Sequence, residues 1–228
     1  MLINSNFGAA ASTDRADVEY TWTRGIGGGA KRVVDVAVAS LGLVVMLPVM
    51  LVIAALIKLT MGGSVFYDQS RLGHRGRQFR CYKFRTMLSD ADNQLARLIA
   101  SDPLVAAEWA ETRKLKNDPR VTWLGQFLRK SSLDELPQLY NVLIGDMSCI
   151  GPRPIVPAEL ARYGSYARDY FSARPGITGL WQVSGRSKLK YSQRIALDRY
   201  YVRRWSMTLD VAIALKTVRA MTATDETS

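Results

Sequence analysis

Between Val36 and Ile57 the chain carries no charged residue. As a straight helix rising ~1.5 Å per residue, this stretch is about 33 Å long, which matches the hydrocarbon core of a bilayer. A buried core helix of that length normally keeps a polar face, and this stretch has none. It starts too late and runs too long for a cleavable signal peptide, and no small-residue cleavage site follows it. Lys31 and Arg32 precede it, while Lys58, Arg71, Arg75, Arg77 and Arg80 follow, so the positive-inside rule draws both ends toward the cytoplasm. Near the middle, Pro48 removes a backbone hydrogen bond and bends the helix. A re-entrant helix, which turns at Pro48 and returns to the face it entered from, satisfies both basic flanks. A kinked single span is the alternative.

At 228 residues the chain is long enough for one ordinary domain with attachments. The expected division is a flexible tail over 1–30, the membrane helix over 31–60 and one domain over 61–228. The tail is small and polar and ends in a glycine run, a composition that buries too little apolar surface to order itself. The net charge is +11, from 31 Lys and Arg against 20 Asp and Glu. Because the first 60 residues are nearly balanced, the positive field belongs to the domain, and its partners are expected to be anionic: nucleic acid, acidic headgroups or phosphorylated substrates. Two cysteines and a single histidine exclude a disulfide scaffold and a multi-Cys/His zinc cluster, and fit a reducing compartment.

After the membrane segment, Val65-Phe66-Tyr67 and residues 78–85 read as two short strands joined through Leu72–Gly76, a β-hairpin. Ser89 to Lys116 reads as two short helices broken at Pro103, with Arg113, Lys114 and Lys116 at the end. Leu133, Leu136, Tyr140 and Leu143 recur at helical spacing, and 191–201 and 209–221 read as further helices. The fold class expected is therefore α+β, mostly helical, with amphipathic helices at the membrane interface.

The stretch Leu128 to Leu139 carries the chemistry. Pro137 is tolerated only in a first helical turn, so the helix should start near Ser132 to Asp134, with Asp134 and Glu135 in that turn. There the helix dipole favours a carboxylate and attracts phosphate. Ser132 and Glu135 also have capping-box spacing, which gives Glu135 a purely structural account. Two loops shift the balance. Gly151-Pro152-Arg153-Pro154 presents Arg153 on a stiffened backbone, and the stretch from Arg174 to Arg186 sets Gly176, Gly179 and Gly185 between two arginines, which suits a pyrophosphate. Lys83 and Arg85, at the end of the second strand, are candidates for the same pocket.

These stretches, with Lys31-Arg32-Val33-Val34-Asp35, Tyr82–Met87, Asp118-Pro119-Arg120, Gly145–Ser148, Asp198 and Trp205-Ser206, resemble the bacterial sugar transferases, the small monotopic phosphoglycosyl transferases. The likeness covers almost everything after residue 30 and points to the exopolysaccharide-initiating galactosyl-phosphate transferases of rhizobia. The resemblance implies a re-entrant membrane helix at the cytoplasmic face of the bacterial inner membrane, and a catalytic domain over 61–228. It also implies Mg2+, a UDP-sugar donor and an undecaprenyl phosphate acceptor. By position, Asp134 would be the nucleophile and Glu135 its neighbour in metal binding or acid–base work, with Lys83, Arg129, Arg153, Arg186 and Asp198 at substrate-binding motif positions. Many members place Ser-Pro at the helix break, whereas this chain has Leu47-Pro48, which removes a hydroxyl able to satisfy a freed carbonyl.

The expected reaction moves a hexose-1-phosphate, galactose or glucose, from the UDP-sugar to the lipid phosphate, releasing UMP through an aspartyl phosphosugar. Oxygen-only ligands near the dyad favour magnesium. A membrane-tethered regulatory or nucleic-acid-binding protein without catalysis is the alternative that the charge raises. The arginines, however, sit in Pro/Gly loops around carboxylates and form no helical stripe, so nucleic acid is not an expected partner. A polysaccharide-assembly scaffold with a dead site would have no need of the Asp134–Glu135 pair.

Overall fold

In the computed structural model, residues 25–112, 115, 118–185 and 189–222 are described. Most of the tail over 1–30 therefore lies outside them, as do Arg113, Lys114, Lys116 and Arg186. The apolar segment forms the middle of one 34-residue helix, α1 (Gly28–Met61), with Pro48 inside it. Its most apolar 18-residue window has a mean hydropathy of 2.8 with only 11% buried, so it is long and apolar enough to cross a membrane and is not a core helix.

The few residues that α1 does bury lie on both sides of Pro48. Ala39 packs with Phe79, Cys81, Val142 and Met147, while Ile53 and Ile57 pack with Phe84, Leu124 and Leu128. At its start, Lys31 Nζ lies 2.6 Å from Asp210, and Asp35 accepts hydrogen bonds from Ser148 Oγ and the Cys149 amide. Such buried polar groups persist only where each is paired, which ties the base of α1 to the domain beneath it.

The expected hairpin is present: β1 (Phe66–Leu72) and β2 (Gln78–Phe84) pair antiparallel, with Phe66 opposite Phe84 and Leu72 opposite Gln78. Two helices follow, α2 (Ala91–Ser101) and α3 (Pro103–Thr112), divided at Asp102, whose carboxylate accepts from the Leu104 amide. Next come α4 (Trp123–Ser131) and α5 (Gln138–Ile144). The chain between them differs from the reading of the sequence. Ser132 takes φ 58° and closes α4, Leu133–Glu135 form a single 3-10 turn, and α5 begins only at Gln138, after Pro137. With Ser132 left-handed its side chain makes no capping bond, so the capping box that would have explained Glu135 is not formed.

Beyond α5, β3 (Ser148–Ile150) pairs in parallel with β4 (Gly176–Thr178). Between these strands lie α6 (Leu160–Tyr163) and α7 (Ala167–Phe171), and α8 (Tyr191–Arg203) and α9 (Met207–Thr222) complete the described chain. The β3–β4 pair brings the two arginine-bearing loops side by side. Their backbones touch so closely that a Cβ on Gly151 would stand 2.4 Å from the Arg174 carbonyl oxygen, and only glycine fits there. The architecture is thus α+β and mostly helical, and α4, α5 and α9 turn Trp123, Phe127, Tyr140, Ile144, Leu215 and Val218 outward.

Candidate active site

Alternate residues of β2 face α5. Phe79 and Cys81 are buried under Val142 and Met147, and Lys83, next on that face, meets Glu135 with Nζ 2.5 Å from Oε1. What fixes α5 against β2 is Asn141. Fully buried, its side chain accepts from the Tyr82 amide at 3.0 Å and donates to the Arg80 carbonyl at 2.7 Å, acting as a further strand on the open edge of the hairpin. The other flank of the dyad comes from α4. Thr122 caps it by accepting from the Gly125 amide, and the Gly125 backbone lies against Thr86, where a Cβ would come within 2.0 Å of the carbonyl oxygen. Arg129, in the last turn, donates from Nε to Thr86 Oγ1 at 2.9 Å.

Asp134 is 8% exposed. Burial raises its carboxyl to about 6 and the neighbouring Glu135 pushes the same way, while Lys83 and Arg129 pull it back down. Lys83, Arg129, Asp134 and Glu135 are therefore gathered at one place, as their motifs suggested. The result is a carboxylate that is ionised at neutral pH, shielded from bulk water and flanked by two cations, which suits a nucleophile attacking an anionic phosphorus. Among the described residues no cluster of three His, Cys, Asp or Glu is present. Two adjacent carboxylates remain, an all-oxygen donor set of the kind that holds Mg2+ together with substrate phosphates.

The other predicted residues lie elsewhere. Arg85 turns to the Met61 and Gly62 carbonyls and closes the end of α1. Arg153 stacks over Trp181 at 5.8 Å and lies 4.0 Å from Glu159. Asp198, 3% exposed, accepts from the Tyr163 hydroxyl at 3.0 Å. Burial raises the Asp198 carboxyl to about 7, against the opposing hydrogen bond from Tyr163 and the positive charge of Arg153. Arg174 donates to the Gly145 carbonyl at 2.9 Å, beside His74 and Arg32 and apart from the dyad. Sequence reasoning missed Asn141, Thr86 and Gly125. Asn141 left a signal, a polar side chain in the middle of the run Leu139–Ile144, whose other members are Tyr140 and aliphatic residues.

Residues 27–224 match the sequence pattern of the family described as bacterial sugar transferase. The chain belongs to that family. It is similar to the exopolysaccharide production protein ExoY of Rhizobium meliloti (strain 1021), 51% identical over 198 residues, 87% of this chain and 88% of that relative. Similarity extends to the undecaprenyl-phosphate galactose phosphotransferase of Salmonella typhimurium (strain LT2), 46% identical over 196 residues, 86% of this chain and 41% of that protein. It extends also to the UDP-glucose:undecaprenyl-phosphate glucose-1-phosphate transferase of Klebsiella pneumoniae, 40% identical over 196 residues, 82% of this chain and 39% of that protein. Family members of both lengths thus share the part in which the Asp134 site lies.

Proposed function

We propose that this chain is a polyprenyl-phosphate sugar phosphotransferase that begins exopolysaccharide repeat-unit assembly. It moves a sugar-1-phosphate from a UDP-sugar to undecaprenyl phosphate and releases UMP. The reading is carried by the Asp134 carboxylate, buried between Lys83 and Arg129 with Glu135 beside it, in a chain of the bacterial sugar transferase family. Relatives named for galactose and for glucose transfer support the reaction class and leave both hexoses as candidates.

An Asp134 oxygen attacks the β-phosphorus of the donor. The bond from that phosphorus to the bridging oxygen breaks, and UMP departs with the bonding pair. An oxygen of the lipid phosphate then attacks the same phosphorus and displaces Asp134, regenerating the carboxylate and giving the lipid diphosphate sugar. Two steps keep the charged lipid and the charged nucleotide sugar from crowding one transition state. Lys83 and Arg129 neutralise charge that builds on the phosphoryl oxygens. Asp134 and Glu135 are the residues that would hold Mg2+, which when bound neutralises phosphate charge.

For the membrane helix we favour the re-entrant form, which places the catalytic domain at the cytoplasmic face of the inner membrane. It is supported by basic residues at both ends of α1, Pro48 between its arms, and packing of Ala39, Ile53 and Ile57 on one body. The covalent step is tested by single turnover without lipid acceptor. The native chain should release one UMP per site, and Asp134→Asn should fall at least a thousandfold. Near-normal turnover by that variant, or no UMP without acceptor, would rule out the aspartyl intermediate.

A further inference from the structure

At the turn end of the hairpin lies a cleft of about 450 Å³ that the transfer chemistry does not use. Its basic side chains come from three places: Arg32 from α1, His74, Arg75 and Arg77 from the hairpin turn, and Arg174 from the loop before β4. Among the described residues the acidic group in its lining is Asp146, whose Oδ2 lies 3.5 Å from Asn141 Nδ2. Among the described lining residues Arg32, Arg77 and Arg174 converge with that single carboxylate, and a bound anion would relieve their mutual repulsion.

Two of the guanidiniums are held in place. Arg32 donates to the Val142 and Leu143 carbonyls at 2.5 and 2.8 Å, and Arg174 donates to the Gly145 carbonyl, so both brace against the end of α5 while lining the cavity. These bonds use two of Arg32's five donors and one of Arg174's. Glycines keep the guanidiniums uncovered: a Cβ at Gly145 would stand 3.5 Å from Arg32 Nη2, and one at Gly25 3.4 Å from Arg174 Nη1. His74 adds an Nε2 that is buried and without a hydrogen-bond partner. Burial, with Arg174, Arg75 and Arg77 around it, lowers this imidazole to about 4, so a bound anion would reverse the local field and let it take up a proton.

We propose that this cleft binds a phosphate group, at a site separate from the Asp134 dyad. Gln78 and Lys83 stand five strand positions apart on β2, so the turn end of the hairpin is about 16 Å from the dyad end. Phosphate oxygens accept from several forked guanidinium donors at once, which fits arginine in preference to lysine here. Arg32 is the last cation before the apolar run, and Ile144 at the cleft is 51% exposed. With α1 inserted, the opening stands at headgroup depth, and the phosphate comes from an anionic phospholipid or from soluble phosphate.

His74 is the chain's single histidine, so an isotope-labelled imidazole reports on this cleft alone. The full-length chain is titrated at fixed ionic strength with inorganic phosphate in detergent, and compared in bilayer discs of phosphatidylglycerol and of phosphatidylcholine. Phosphate should shift the His74 resonance and raise its titration by at least one pH unit. Arg75→Ala/Arg77→Ala should weaken that response at least tenfold, while the charge-matched Arg97→Ala/Arg168→Ala should leave it intact. A response to free phosphate in detergent supports a soluble occupant, and one confined to phosphatidylglycerol discs supports a headgroup. No response to either source, or equal weakening by the charge-matched pair, overturns the site.

Discussion

A carboxyl that titrates near 6 puts a visible mark on a pH profile. If Asp134 must be ionised to attack, kcat/KM should fall tenfold per pH unit below about 6. Lys83→Met removes a charge that holds Asp134 down, so the acid limb should move above 6 as well as the rate falling; a limb that stays put would separate Lys83 from the nucleophile. The same shift affects stability with a definite sign. The folded state holds this proton more tightly than the unfolded chain, whose aspartate titrates near the ordinary 3.8, so the native fold loses stability as pH rises through 6. Asp134→Asn, which cannot ionise, should therefore be more stable than the native chain at pH 8, by about 2–3 kcal/mol, with the difference nearly gone by about pH 3. Thermal melts at the two pH values check it. The convergence of Asp134, Glu135, Lys83 and Arg129 was legible because each lies in a compact run of unusual residues. Thr86 and Asn141 were not, because their importance comes from what packs against them: the Arg129 guanidinium for one, the open strand edge of β2 for the other.

At the scale of elements, the dyad depends on where α4 ends. Gly125→Ala inserts a methyl where the Thr86 carbonyl already stands, so α4 must lift and carry Arg129 and the dyad turn with it. Transfer should drop by more than tenfold, with a lower melting temperature; unchanged kinetics would show that the dyad tolerates a displaced α4. Ser132 gives the converse test. Its φ of 58° costs a non-glycine residue about 1 kcal/mol, so Ser132→Gly should be neutral or stabilising and Ser132→Val clearly destabilising in the same melts. The hairpin was legible from its turn residues, α2 and α3 from their terminal charges and the break at Pro103, and α9 from its apolar positions. The 3-10 turn was not, since Pro137 permits a helix to begin before it and only the left-handed Ser132 cuts α4 from α5. Strands β3 and β4 escaped notice because three residues each are too few for an alternating pattern to emerge.

For the whole molecule, the orientation of α1 decides where the chemistry takes place. Cysteines introduced singly as Ala30→Cys and Thr60→Cys, at exposed positions near the two ends of α1, should react with a membrane-impermeant maleimide only after the cell is opened. Labelling of one of them in intact cells would make α1 a single span and leave the phosphoryl transfer untouched. The ion pair between Lys31 and Asp210 has a further consequence for how the chain is made. Its partners are 179 residues apart. At about 5–20 residues per second, the ribosome delivers the second some 10–35 s after the first. During that interval α1 meets the bilayer before Lys31 has Asp210 to pair with, and only the arrival of α9 closes the joint. Of the described elements the membrane anchor is the first to be synthesised and among the last to be secured, so truncation within α9 should loosen the base of α1.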